Sequence, residues 1–195
     1  MRKKTKKVYG IGVNDADYPV MPVVDGVQKI CPYYLAWKNM LGRAFSKKYH
    51  DRKPTYIDVT ICEEWLSFMT FKEWMESQDW GGFVLDKDIL VRGNKEYSPD
   101  RCCFVTNEVN NLLHENDKTR GRFPCGVGLN RYSGKYCAQI QRYGKNTYIG
   151  LFETVNEASQ AYKKAKKAHI ETIAAAQTDA RIRDGLLRHA DLLAA

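Results

Sequence analysis

The sequence lacks the cysteine spacing of common structural zinc sites. Its six cysteines include no C-x-x-C pair, so we expect no structural zinc. A long apolar run and a signal-peptide pattern are also missing, and we expect neither a membrane partner nor secretion. In the reducing cytoplasm, cysteines are expected to be small core residues rather than a disulfide framework.

Acidic residues are the second shortage. The 195 residues include 31 Lys and Arg but 23 Asp and Glu, which gives a formal charge of +8. This excess predicts a polyanionic partner, most commonly nucleic acid, with an anionic membrane surface as the weaker alternative. A hydrophobic fraction of 44% predicts folded cores, and the length allows one compact domain or two small ones.

Val84–Leu113 carries the first candidate site. It has the pattern of an apolar strand, a polar loop, a second apolar strand and a helix capped by Thr106. The first strand ends on Asp86-Lys87-Asp88, and the helix carries the amides of Asn110 and Asn111. Carboxylate and amide oxygens are ligands for Mg²⁺, so this stretch predicts a small divalent-metal site. The alternative is that the acidic strand end is a solvated turn.

This stretch resembles the ββα-metal core of HNH endonucleases, especially the phage homing endonucleases. The run Tyr97-Ser98-Pro99, followed by Cys102 and Phe104-Val105, is similar to the Y-S-P-x-x-C-x-[FW]-V signature of phage members. A lead-in of apolar residues at matching spacing extends the resemblance over residues 31–113. Its members are Trp37, Met40, Cys62, Trp65, Phe68, Phe71 and Trp74.

The resemblance implies a role for each matched position. Asp86 stands at the metal-binding Asp, Asn94 in the loop of the middle Asn, and Asn110 at the last metal ligand. Lys87 stands where the family has the His that activates water, and a lysine is a poor general base. Asp88 or a metal-bound water would have to replace that His. The implied metal is Mg²⁺ or Mn²⁺, held by Asp86 and Asn110, with Asp88 as a further ligand.

The rest of the first half predicts helices around a short strand. Met1–Lys7 is a basic arm, either a solvated tail or a source of phosphate contacts, and an extended, loop-rich segment follows it. Helical periodicity predicts helices over Pro32–Phe45 and Glu63–Met75, with a polar loop and the strand Val59–Cys62 between them. Their aromatic residues are expected in the core.

Residues 115–123 are polar and lack periodicity, which predicts a linker. Its cations could contact phosphates, although a plain solvated linker explains them equally well. These cations are Lys118, Arg120 and Arg122. His114, the nearest histidine to the acidic strand end, is expected to be an exposed helix residue.

The second candidate site follows the linker. Alternating apolar and polar residues predict strands over 126–130, 135–143 and 147–151, with a turn at 144–146 between the last two. Thr154 and Glu157 fit a capping box at the start of a helix. Three antiparallel strands and a covering helix form a minimal two-layer unit.

This segment resembles the APETALA/ERF-type DNA-binding domain. The matching residues are Gly126-Val127, Gly134-Lys135-Tyr136, Ala138, Ile140, Ile149-Gly150, Phe152, Thr154, Glu157-Ala158 and Ala161-Tyr162. The resemblance implies a sheet that lies in the major groove, where Gln can pair with adenine and Arg with guanine. By position, the expected DNA contacts are Arg131, Lys135, Tyr136, Gln139, Gln141, Arg142, Lys145 and Tyr148.

A terminal helix over 179–193 completes the predicted fold, docked on the core or on a second copy. The fold class is α+β: a ββα-metal core, then a three-stranded antiparallel sheet with its helix, and the terminal helix. The expected segments are a basic arm and extended region (1–30), the HNH-like domain (31–114), the linker (115–123), the APETALA/ERF-type domain (124–172) and the C-terminal helix (173–195).

Three functions compete at this stage. The first is a site-preferring, metal-dependent endonuclease that cleaves or nicks double-stranded DNA, a phage protein acting in the cytoplasm of a bacterial host cell. The second is a nuclease-dead DNA-binding regulator, which Lys87 in the general-base position favours. The third is a basic protein-interaction module. The target sequence is not predicted, nor is the choice between monomer and homodimer.

Overall fold

The computed structural model describes residues 7–113 and 122–193, and the chain divides into two compact units between Phe104 and Val105. The architecture is mixed α and β, as predicted. The elements are β1 Val23–Val24, β2 Val27–Gln28, α1 Pro32–Phe45, α2 Lys47–Arg52, β3 Thr60–Ile61, α3 Phe68–Glu76, β4 Val84–Asp86, β5 Glu96–Tyr97, β6 Cys103–Val105, α4 Asn107–Leu112, β7 Val127–Leu129, β8 Tyr136–Arg142, β9 Lys145–Phe152, α5 Val155–Ala175 and α6 Ala180–Asp191.

Parts of the predicted segments lie outside the described residues. These are the basic arm except Lys7, residue His114, and the linker except Arg122 and Phe123. Among the described helices, none is both long and apolar enough to cross a membrane. All six cysteines are described, and each is a free thiol.

The core of the first unit is aromatic. Trp37 from α1 packs against Phe68 of α3, with ring centroids 5.5 Å apart. Its indole Nε1 donates a hydrogen bond to the backbone carbonyl of Trp65 at 2.8 Å. Trp37, Phe68 and Phe71 are fully buried, so the predicted aromatic core is confirmed. An indole needs such a carbonyl because its N–H would otherwise be buried without a partner.

A serine divides the second predicted helix into two pieces. Glu63–Leu66 forms a 3₁₀ helix, and α3 begins only after Ser67. The Ser67 hydroxyl oxygen accepts the backbone N–H of Thr70 at 3.3 Å, and the hydroxyl donates to Asp15 at 2.7 Å. The prediction of one continuous helix was wrong because Ser67 satisfies the first turn of α3 as an N-cap.

Two short elements were missed in the first unit. β1 and β2 form an antiparallel hairpin whose turn residues Asp25 and Gly26 have φ angles of 53° and 75°. These positive values are the geometry of a two-residue hairpin turn. Lys47–Arg52, expected as a polar loop, is the helix α2, and the Ser46 side chain caps it by accepting the Tyr49 N–H at 3.3 Å.

Small sheets frame the acidic strand end. β3 and β5 are parallel, with Thr60 opposite Glu96 and Ile61 opposite Tyr97. β4 pairs with β6, whose residues are all buried. The loop between β4 and β5 therefore starts and ends on paired strands.

The second unit contains the predicted three-stranded antiparallel sheet in the order β7-β8-β9. Arg142 lies opposite Lys145, so the connection between β8 and β9 is the two-residue turn Tyr143-Gly144. Both residues have positive φ, 50° and 74°. The turn was predicted at 144–146, one residue too late, because tyrosine is not a usual residue at a positive φ.

One helix, α5, covers a face of this sheet, and the terminal helix lies against α5. The capping box at the start of α5 is confirmed: Thr154 Oγ1 accepts the Glu157 N–H at 3.2 Å, and the Glu157 carboxylate accepts the Thr154 N–H at 3.0 Å. α6 packs on α5 and adds an ion pair of 3.0 Å between Lys167 and Asp191. The terminal helix thus docks within its own unit.

A glycine allows α5 to approach the sheet closely. Gly126, immediately before β7, has a φ of 75°, and a Cβ atom there would overlap the ring of Tyr162. Only glycine combines this backbone angle with this close packing.

Candidate functional sites

The carboxylate of Asp86 lies at the end of β4 and is buried. Its Oδ1 accepts the backbone N–H of Asp88 at 2.7 Å and that of Ile89 at 2.8 Å. Both bonds reach the same oxygen, and Oδ2 takes none from the described residues. The side chain therefore turns the backbone directly after the strand and keeps one oxygen open.

Lys87 points into the loop that follows. Its Nζ donates hydrogen bonds to both carboxylate oxygens of Asp88, at 2.8 and 2.9 Å, and to the backbone carbonyl of Asn94 at 2.8 Å. The ammonium also lies 5.4 Å from the ring centroid of Tyr56. An ammonium that donates all three hydrogens has no lone pair for a proton, so Lys87 acts as a structural cation in this arrangement.

Asn94 closes the same loop from its other end. Its Nδ2 donates to the carbonyl of Lys87 at 2.9 Å and to that of Glu96 at 2.6 Å, while Oδ1 accepts the Glu96 N–H at 3.1 Å. The side chain is buried. We call residues 86–96 the clasp loop, because Lys87 and Asn94 bind each other's backbone carbonyls across it.

Burial raises the pKa of Asp86 above its ordinary value. The anion loses hydration inside the protein, and the two backbone hydrogen bonds oppose this effect without cancelling it. An uncompensated buried carboxylate is a common feature of functional sites, although structural networks also produce it.

The predicted metal ligands fit a divalent cation only in part. Asp86 has an open oxygen, both Asp88 oxygens accept from Lys87, and Asn110 lies in α4 of the second unit. Within residues 7–113 and 122–193, no group of three or more His, Cys, Asp or Glu is placed to hold an ion. Asp86 would supply one ligand and water most of the others, an arrangement that Mg²⁺ accepts. Such a cation would stabilise charge on a phosphate oxygen.

We expect Asp86→Asn to stabilise the first unit at neutral pH by on the order of 1 kcal/mol, because it removes a charge that burial disfavours. Asparagine keeps the Oδ1 acceptor and carries no charge. Because the folded pKa is raised, Asp86 stabilises the fold fully below its unfolded pKa and less as the pH rises through its folded pKa. The gain should therefore shrink as the pH falls toward the ordinary aspartate value.

Urea unfolding followed by tryptophan fluorescence measures this difference. All four tryptophans lie in the first unit, so the signal reports that unit alone. Asp100→Asn is the matched control, because Asp100 is exposed and its substitution should change stability little. A less stable Asp86→Asn variant at neutral pH would show that the ionised carboxylate is favourable.

The sheet of the second unit presents one face to solvent. Ala138 and Ile140 are buried on the side that contacts α5, whereas Gln139 and Gln141, which alternate with them along β8, are exposed. Ala138 lies opposite Gly150 and Gln139 opposite Tyr148, so Ile149 is the extra residue of a β-bulge in β9. We call the side of Gln139 and Gln141 the outer face.

The outer face is polar and uncharged at its centre. Gln141 lies opposite Asn146, which is also exposed. Directly paired residues share a face, so two rungs, Gln139–Tyr148 and Gln141–Asn146, project outward together. Asn146 was not predicted as a contact because the turn was placed over it.

The cations predicted to contact DNA do not lie at the centre of the outer face with the amides. Arg131 and Lys145 are exposed at the ends of the strands. Lys135 forms an ion pair with Glu153. Arg142 lies on the helix side, where its Nη2 donates to the carbonyl of Ala165 at 3.3 Å. The arginine that could read guanine thus turns away from the outer face.

Three tyrosines stand out by exposure. Tyr132 is fully exposed in the turn before β8, and Tyr143 and Tyr148 are about 60% exposed. The side chain of Asn130 accepts the backbone N–H of Tyr132 at 3.0 Å, which fixes that turn. Tyr136, predicted as a contact, is half-buried with its ring 5.5 Å from that of Phe123. Tyr132 precedes the predicted strand over 135–143, and Tyr143 was placed at its last residue, so neither was predicted as a contact.

A cleft of about 840 Å³ lies beside the part of β8 that extends past β7. Its walls include Asn107 and Asn111 of α4, the two outer-face glutamines, and His169 of α5. Burial lowers the pKa of His169, and the cations of Arg142 and Lys166 lower it further. The histidine is therefore a neutral, buried wall rather than a cationic contact.

No protein-family model, curated protein or solved structure matches this chain. The two resemblances noted in the sequence remain predictions. The clasp loop and the outer face are the two features of the chain that bear on its function.

Proposed function

We propose that the protein binds double-stranded DNA at preferred sites through the outer face. The observation that carries the proposal is the exposed pair of rungs on a sheet backed by α5. Gln139, Gln141 and Asn146 offer both hydrogen-bond donors and acceptors. The major groove admits a β-ribbon and displays a distinct donor and acceptor pattern for each base pair, so such a face can read sequence.

The charges support the same partner. The formal charge is +8, and Arg131 is exposed in the turn after β7, away from the centre of the face. Phosphate contacts position a protein on the duplex, and base contacts specify the sequence. A cation at the end of the sheet and amides at its centre correspond to these two tasks.

Fluorescence anisotropy with a labelled duplex of random sequence tests this proposal. We expect binding at low salt that weakens linearly on a plot of log affinity against log salt concentration. We expect Arg131→Ala, which removes an exposed cation in the turn after β7, to make that slope about one unit shallower, because one phosphate contact is lost. Absence of binding at low salt would contradict DNA binding and favour an acidic protein partner.

DNA strand cleavage is the second candidate function, and the open oxygen of Asp86 favours it. A buried carboxylate at a strand end is suited to hold Mg²⁺ or Mn²⁺ near a phosphate. Within the clasp loop, both Asp88 oxygens accept hydrogen bonds from Lys87, and the open oxygen of Asp86 would be taken by the metal. Water activation would therefore depend on the metal.

A plasmid nicking assay with Mg²⁺ or Mn²⁺ tests cleavage. Metal-dependent nicking that disappears in Asp86→Asn would support a nuclease. If the wild type binds the plasmid and leaves it intact, the protein is a nuclease-dead DNA-binding regulator, which the closed pairing of Lys87 favours. Asp100→Asn serves again as the control for a change of charge.

A further inference from the structure

The centre of the outer face contains the amides of the predicted contacts Gln139 and Gln141, whereas the predicted contact Arg142 lies on the helix side. Arg142 bonds to the backbone of α5, and Lys135 is paired with Glu153. The side chains that remain on the two central rungs are those of Gln139, Gln141 and their cross-strand neighbours. The inference below rests on the proposed DNA binding and concerns which bases this face selects.

A glutamine amide and a guanidinium select different bases. The amide has an N–H donor and a C=O acceptor side by side, which match the N7 acceptor and N6 donor of adenine. Guanine presents two acceptors, O6 and N7, which require two donors such as those of Arg or Lys. The outer face presents amides, and Arg142 lies on the opposite side of the sheet, so this face favours A·T over G·C pairs.

The two glutamines are spaced to reach different base pairs. Gln141 follows Gln139 by two residues on one strand, a distance of about 6.8 Å at the usual rise of about 3.4 Å per residue in antiparallel strands. Successive base pairs are about 3.4 Å apart, so two steps cover about 6.8 Å. The bulge lies in β9 at Ile149, and Gln139 to Arg142 pair regularly with Tyr148 to Lys145.

Gln139 is free to turn toward a base. Among the described residues, its Nε2 contacts the sulfur of Cys137 at 3.7 Å, and a thiol is a weak acceptor. Gln141 is exposed, and its cross-strand neighbour Asn146 carries the same donor and acceptor pair. Both glutamines can thus form bidentate contacts without breaking a strong internal bond.

We propose that Gln139 and Gln141 are specificity-determining residues that each read one adenine in the major groove, at A·T pairs two base steps apart.

Selection of bound duplexes from a random-sequence pool tests this proposal with three full-length proteins. The wild type should enrich adenine at two positions separated by one unspecified base pair. Gln139→Arg should change one of these adenines to guanine and retain the other, with a preference of about tenfold or more. Gln160→Arg, the same substitution on an exposed position of α5, should enrich the wild-type site.

Two other results would contradict the proposal, and a third would contradict DNA binding itself. Wild-type sites without paired adenines at this spacing, or the same sites for Gln139→Arg and wild type, would overturn the reading role of the glutamines. Both results require that duplex is retained, so they leave DNA binding intact. If no protein retains duplex at low salt, the proposed DNA binding itself fails. A switch of one base cannot arise from misfolding, which would abolish selection.

Discussion

Simultaneous Gln139→Ala, Gln141→Ala and Tyr148→Ala substitutions are expected to weaken duplex DNA binding about a hundredfold. A good bidentate base contact contributes about 1–3 kcal/mol, and a combined loss of about 3 kcal/mol corresponds to about a hundredfold in affinity. All three side chains are exposed, whereas Ala138 and Ile140 beneath them are unchanged and buried. Binding should therefore fall while the sheet remains folded.

Anisotropy titration at fixed salt measures the affinity, and thermal melting by circular dichroism checks the fold. The matched control is Asn156→Ala with Gln160→Ala, which removes two exposed amides from α5. This control should bind like the wild type. Equal affinity for the outer-face variant and the wild type would show that DNA, if bound, contacts another surface.

Asn94→Ala is expected to destabilise the first unit by about 3 kcal/mol. The substitution removes three hydrogen bonds and leaves the carbonyls of Lys87 and Glu96 and the N–H of Glu96 without the side-chain partner they have in the clasp loop. Because the site is buried, water replaces these bonds poorly.

Urea unfolding followed by tryptophan fluorescence reports this loss, since every tryptophan is in the affected unit. Asn39→Ala is the control: Asn39 is exposed on α1, and its substitution should change stability by less than about 0.5 kcal/mol. A similar small effect for Asn94→Ala would mean that the clasp loop is held by Lys87 and the strands alone.

Local signals in the sequence predicted the second unit well. Thr154 and Glu157 lie three residues apart, and this spacing alone defines the start of α5. Alternation along 135–143 identified the buried and exposed sides of β8, because one side must pack on the helix. The error at the β8–β9 turn arose where Tyr143 adopts a conformation that its residue type disfavours.

The first unit shows where such signals were present but weak. Asp25-Gly26 between valines is a hairpin signal in a segment assigned to loops. Ser67 is an N-cap that an otherwise continuous apolar period obscured. Both errors arose because the periodicity of apolar residues was given more weight than the residues typical of helix caps and turns.

The candidate sites depend on partners that are distant in sequence. Arg142 and Lys145 look equivalent along the chain, yet Arg142 bonds to Ala165 of α5. From the sequence, Lys87 was interpreted as a replacement for the general base. In the folded chain its ammonium donates a hydrogen bond to the backbone carbonyl of Asn94. Sequence proximity could suggest which residues belong to each site, but only the folded chain assigns their roles.

The contact between Gly126 and Tyr162 limits how the chain can be divided. A residue with a side chain at position 126 would displace the tyrosine ring and, with it, the middle of α5. The segment that enters β7 and the helix α5 are consequently packed together and cannot be separated without disturbing the sheet. A fragment that keeps the sheet intact must begin ahead of Gly126 and extend beyond Tyr162, so fusion partners are better attached near Arg122 or after α6 than within this span.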